Sequence, residues 1–164
     1  SVDTIITWSL PTVPISLWLN ALMGGPLLAA ITLYAAQWRA LAGRFGLLLM
    51  TVPFIALAAN AAVYIVQGRL LGGVTNSVVA AADLVPHYHT MLLAFALMCF
   101  AGCVLAAFTM HVVSREAAAH GGGELAFSKR VLVRLLVSCL LVFAGVFVMR
   151  FAFYMMHLTV GLAV

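Results

Sequence analysis

Charged side chains make up only 7% of this sequence, whereas a soluble domain carries about 25% because its surface must face water. Eight Lys and Arg against four Asp and Glu cannot cover a globule of 164 residues. They can punctuate a set of membrane spans. The shortage therefore excludes a soluble enzyme. The net charge of +4 would suggest nucleic acid in a soluble protein. Here it has a simpler source, because Lys and Arg collect in the cytoplasmic connections of membrane proteins. Lipid is the expected surroundings, and no nucleic-acid partner is expected.

Clustered cysteine is missing too. Cys99, Cys103 and Cys139 each fall inside an apolar run and no CxxC occurs. The spacing of Cys99 and Cys103 puts them on one helical face. A metal or iron–sulfur centre needs closer thiolate clusters, so these are read as small thiols packed between helices, with no metal. No nucleophile–base pair, Walker motif or dinucleotide fingerprint is present. The sequence starts at Ser1 without a basic stretch ahead of an apolar core. No signal peptide is expected, and the sequence reads as either trimmed or a piece of a longer protein.

What the sequence does have is apolar length. Hydrophobic residues are 66% of it, and a span needs about 20 of them to cross roughly 30 Å of hydrocarbon. Four segments qualify, at about 13–36, 45–66, 90–113 and 131–160. The expected fold is an all-α integral membrane bundle of about four transmembrane helices, one domain over residues 1–164. Arg39 and Arg44 lie in the first connection, and Arg115, Lys129 and Arg130 in the third. The second, residues 67–89, holds Arg69 and Asp83. The basic excess predicts cytoplasmic first and third connections, with the second connection and both termini outside. In that outer segment Asn76 suits the cap of a short surface helix over 77–85, which Pro86 would end. Ala21, Gly25 and Ala29 form a small-xxx-small stripe suited to close helix packing. Pro26, after Gly24 and Gly25, predicts a kink or break in the first span, and Pro53 a similar disturbance in the second.

Polar residues at membrane depth are the default functional suspects. Arg150, Tyr154, His157 and Gly161 share one helical face. Arg150 follows Arg130 by 20 residues, about 30 Å along a helix, which places it at the outer boundary. One reading is an interfacial anchor of Arg and aromatics; the other is a polar patch for a lipophilic head group or a partner subunit. His87, Tyr88 and His89 emerge at the same level. Haem b would require two imidazoles facing each other within the bundle, yet these lie at the rim, and His111 is near the opposite face. A histidine beside a quinol remains open, since its pKa lies near neutrality. Asn20 and Asn60 suit interhelical hydrogen bonds, or a transporter site at a broken helix. No acidic residue lies in mid-span to couple an ion.

Several blocks carry a family resemblance. They are Val2-Asp3-Thr4 leading to Trp8, Met23 through Leu28 (MGGPLL), Gln67-Gly68 with Ser77-Val78, and Ala80 through Tyr88 (AAADLVPHY). Arg150, Phe153-Tyr154 and His157 through Gly161 (HLTVG) complete the set. In this order they resemble the membrane anchor subunit of the anaerobic dimethyl sulfoxide reductase family. The resemblance covers nearly the whole sequence but only the second half of an anchor of about eight spans. It implies a haem-free, non-catalytic subunit of the bacterial cytoplasmic membrane. Such a subunit holds an iron–sulfur subunit and a molybdopterin catalytic subunit, and oxidises menaquinol to supply their electrons. Two positions depart from the family pattern. Residues 146–149 are wholly apolar where an acidic residue is usual, and His87 stands where an acidic one is expected. The expected quinol-binding or partner-docking residues are His157, Arg150, Tyr154, His87 and Tyr88. The alternatives are a small transporter or channel-like bundle and a haem b cytochrome subunit.

Overall fold

The computed structural model describes residues 10–73, 81–119 and 127–155. Its elements are α1 (Thr12–Ala35), a 3-10 turn (Arg39–Ala42), α2 (Arg44–Leu71), α3 (Ala81–Leu84), α4 (Tyr88–Ala119) and α5 (Lys129–Met155). The described residues hold no strand, and α1, α2, α4 and α5 are each long and apolar enough to cross a membrane. The protein is an all-helical, multi-pass membrane protein. Helices serve here because hydrocarbon offers backbone N–H and C=O groups no partner outside their own segment. The 32 residues of α4 reach about 48 Å, well past the hydrocarbon. That length explains why α4 outruns its expected bounds, taking in Ser114, Arg115 and Glu116. Likewise α2 continues through Gln67, Gly68 and Arg69.

Around the bundle, α1 lies beside α2, α2 beside α4, α4 beside α5 and α5 beside α1, with α4–α5 the most extensive seam. This is an up-down-up-down arrangement, so the first and third connections meet at one end. Tyr34, near the end of α1, fastens them. Its hydroxyl accepts the Ser128 N–H at 2.8 Å just before α5, and its ring stacks on Phe127 at 5.9 Å. α1 closes with a Schellman turn. Trp38 N–H bonds to Leu33 O and Gln37 N–H to Tyr34 O, both at 3.0 Å, with Gln37 in the left-handed region at φ 53°.

Polarity is distributed in the membrane manner. Trp18, Ile55, Leu140 and Phe147 face outward, while Asn60, Gln67, Thr109 and Ser138 are buried. Lipid is as apolar as any core, so helices associate here by close packing and polar contact. At α4–α5 the glycines set the distance. A Cβ on Gly102 would lie 2.7 Å from Ser138 O, and one on Gly145 2.6 Å from Cys99 Sγ. All three cysteines are free thiols buried among the helices.

Two packing expectations are corrected. The Ala21, Gly25 and Ala29 stripe does not make the α1 seam. Ala21 and Gly25 are exposed, and nothing lies within 4 Å of a Cβ on Gly25. The adjacent face, Met23, Gly24, Leu27, Ala30 and Tyr34, is buried instead, with Gly24 under the ring of Phe143. The larger side chains there gain more contact than the small stripe would. Nor is the first span broken, because α1 runs continuously through Gly24, Gly25 and Pro26. In the outer segment only α3 is described. Val85, expected on a membrane-surface face, is 3% exposed and packs into the core. Asn76 and the rest of 74–80 lie outside the described residues.

Candidate functional site

Arg150 stands on the penultimate turn of α5, half-buried, at the end where α1 and α4 begin. Its guanidinium donates to Ser16 Oγ at 3.4 Å and lies 5.9 Å from the Phe153 ring centroid. Tyr154, one turn on, is exposed, with its ring edge-on to Phe153 at 5.6 Å. Arg150 and Tyr154 thus share an end of α5, as their spacing requires. His157 and Gly161 lie outside the described residues.

His87 is exposed in the turn before α4, and its carbonyl accepts the Met91 N–H at 3.0 Å. Tyr88 is buried at 5% exposure and points into the bundle. Its hydroxyl donates to Tyr64 O at 2.7 Å, and its ring occupies the space that a Cβ on Gly68 would fill. So the structure assigns Tyr88 a bond between α4 and α2. Among the described residues, Arg150 makes its hydrogen bond to Ser16 and to neither His87 nor Tyr88.

Unforeseen is the polar stripe below Arg150. Thr12, Ser16 and Asn20 recur every fourth residue on α1, a spacing visible in the sequence. Asn60 Nδ2 donates to Asn20 Oδ1 at 2.6 Å, and Asn20 Nδ2 to Tyr64 Oη at 3.4 Å. Tyr64 packs edge-on against Phe95 at 5.2 Å. Among the described residues, Thr12 Oγ1 and Asn60 Oδ1 are buried without hydrogen-bond partners. Asn60 is wholly enclosed, so its amide serves the bundle and is sealed from a ligand arriving through lipid. Thr12 lies one turn beyond Ser16, nearer the open end.

On the lipid side, Arg150 ends an apolar groove of about 690 Å3 lined by Met98, Leu140, Phe143 and Phe147. A cationic donor above an apolar trough suits an amphiphile with an oxygen-bearing head. No group of three or more His, Cys, Asp or Glu among the described residues is arranged to hold a metal. His87, His89 and His111 are all exposed.

The comparison that decides the family spans almost all of the sequence: the DMSO reductase anchor subunit (DmsC) family matches residues 1–156. The protein belongs to the DMSO reductase anchor subunit family. It is 32% identical over 165 residues to the anchor chain, designated C, of anaerobic dimethyl sulfoxide reductase from Escherichia coli (strain K12), covering 100% of this sequence and 51% of that protein. It is 30% identical over 168 residues to anaerobic dimethyl sulfoxide reductase chain YnfH of the same organism, covering 99% of this sequence and 51% of that one. This anchor-family member spans about half the length of these curated relatives. No solved structure matches it. Within the family's frame, the unbroken α1 removes the discontinuous helix on which a transporter site at Asn20 and Asn60 would depend.

Proposed function

We propose that the protein is the membrane anchor, or the C-terminal half of one, of a molybdopterin oxidoreductase complex in a bacterial cytoplasmic membrane. It holds an iron–sulfur subunit and a catalytic subunit, and takes part in oxidising menaquinol, whose electrons pass to the iron–sulfur partner. The observation that carries this reading is the family match over residues 1–156, on a sequence with four candidate spans. The anchor binds menaquinol as substrate and carries no haem or metal of its own.

The head group is assigned to the outer face of Arg150, Tyr154 and His157, with His87 nearby, and the isoprenoid tail to the groove below Arg150. The guanidinium supplies a donor to a quinone oxygen, and the apolar lining matches the tail. His157 supplies a proton acceptor of near-neutral pKa. The test is quinol-dependent reduction of the catalytic partner in Arg150→Gln and His157→Ala membranes, set against the amount of assembled complex. Losing a charge-assisted hydrogen bond should lower quinol turnover by about tenfold or more in Arg150→Gln, at unchanged assembly. Unchanged turnover and assembly in both variants would leave this face an interfacial anchor only.

Orientation follows from charge. The end bearing Arg39, Arg44, Arg115, Lys129 and Arg130 faces the cytoplasm, and both termini and residues 67–89 face outward. An impermeant thiol reagent added outside should label Asn76→Cys and spare Gly122→Cys. The opposite pattern reverses the topology.

A further inference from the structure

The end of the bundle away from Arg150 holds a second cavity, of about 400 Å3, between the α1–α2 connection and the last turns of α4. Arg39 and Arg44 line it from one side and Ser114 from the other, with Ala117 and Ala118 leaving the space open. Neither guanidinium is paired with a carboxylate among the described residues, so the cavity holds two cations and a hydroxyl. The arginines are not on a loose loop. Leu41, between them, is fully buried, and Ala42 nearly so. The 3-10 turn that carries Arg39 packs against both α2 and α4.

Depth sets what can reach the cavity. Ser114 lies 26 residues beyond Tyr88 at the start of α4, about 39 Å along the helix, which is headgroup level on the far side of the hydrocarbon. Trp38 and Phe45, next in sequence to the two arginines, are exposed and meet edge-on at 5.2 Å. Exposed aromatic rings at this level mark the membrane–water boundary. Two guanidiniums above such a boundary match a phosphate with acyl chains attached, because Arg forks pair with phosphate oxygens bidentately. Arg115, Lys129 and Arg130, all exposed at the same end, add a field that attracts anions.

We propose that this cavity seats the headgroup of an anionic phospholipid, its phosphate held by Arg39 and Arg44 and a further headgroup oxygen by Ser114. The site is separate from the quinol assignment, and either can fail without the other.

The test uses the full-length protein purified in detergent with whatever subunits accompany it. Cardiolipin or phosphatidylglycerol, phosphatidylcholine, and inorganic phosphate are titrated separately, with retained lipid read by native mass spectrometry and unfolding by thermal shift. Anionic lipid should be retained and should raise the Tm, and phosphatidylcholine should do neither. At about 1 kcal/mol per cation near the surface, Arg39→Gln with Arg44→Gln should weaken anionic-lipid binding on the order of thirtyfold. If the double variant does not fold, Arg39→Gln alone should weaken it about fivefold. Arg69→Gln, at the other end, should leave it unchanged. Equal retention of phosphatidylcholine, or undiminished anionic-lipid binding in the folded arginine variants, would overturn the proposal. So would inorganic phosphate raising the Tm as far as the lipid does, which would make this a soluble-anion site.

Discussion

The α4–α5 seam and the α1–α2 seam hold helices together by different means. Between α4 and α5 the backbones close in at Gly102 and Gly145, and the polar groups there turn back on their own helices. Ser138 Oγ donates to Arg134 O at 2.8 Å, and Thr109 Oγ1 to Leu105 O at 2.7 Å. Between α1 and α2 the attraction includes side-chain bonds across the gap, from Asn60 to Asn20 at 2.6 Å and from Asn20 to Tyr64 at 3.4 Å. In hydrocarbon, contact at van der Waals distance is the main source of helix association, and interhelical hydrogen bonds average about 0.6 kcal/mol. A glycine seam is therefore sensitive to one added methyl group, whereas an amide seam tolerates losing a bond.

The largest expected effect follows from that sensitivity. Gly102→Val would drive its side chain into the Ser138 carbonyl and the Val142 methyl, at 2.7 and 2.8 Å from the Cβ alone. Overpacking of this kind costs about 1–3 kcal/mol, at the upper end when the obstacle is backbone. Thermal unfolding of the purified protein should show a large fall in Tm; a near-wild-type value would mean that the seam is looser than described.

A double-mutant cycle on Asn20→Ala and Asn60→Ala should give a smaller number, a coupling of about 0.6–1.7 kcal/mol. Zero coupling would show that the amide bridge contributes nothing. A coupling above that of the glycine substitution would invert the comparison.

The smallest effect belongs to the stripe that neither seam uses. Gly25→Ala meets open space within 4 Å, so the isolated protein should be unchanged or steadier by about 0.5–1 kcal/mol, the usual helix gain of Ala over Gly. Measuring Tm beside Gly102→Val in one series checks it. A destabilisation comparable with that variant would return Gly25 to a packing role.

Much of the architecture was legible because membrane spans announce themselves by length and lack of charge. The segments expected at 13–36 and 45–66 correspond to Thr12–Ala35 and Arg44–Leu71. The orientation of each helix about its own axis was not legible. A soluble helix shows its buried face by amphipathicity, but α1 carries apolar residues all round. A small-residue stripe at 21, 25 and 29 therefore looked as good a seam as its neighbour. Tyr88 shows the same limit. Its place at the rim suggested a site residue, and only the empty space over Gly68 and the free carbonyl of Tyr64 turn it inward. Ser16 escaped notice because one hydroxyl in an apolar run carries no signal until Arg150, far along the sequence, is brought beside it.

Composition and charge placement alone determined that the protein is helical, crosses a membrane about four times and gathers its cations in alternate connections. Each of those properties follows from the cost of placing charge or bare backbone in hydrocarbon, which acts locally along the sequence. Which faces meet, that Asn60 reaches Asn20, and that Arg39, Arg44 and Ser114 line one cavity were decided only by the tertiary structure. Those outcomes depend on interatomic distances between helices, and in an environment as apolar as the core no sequence periodicity encodes them.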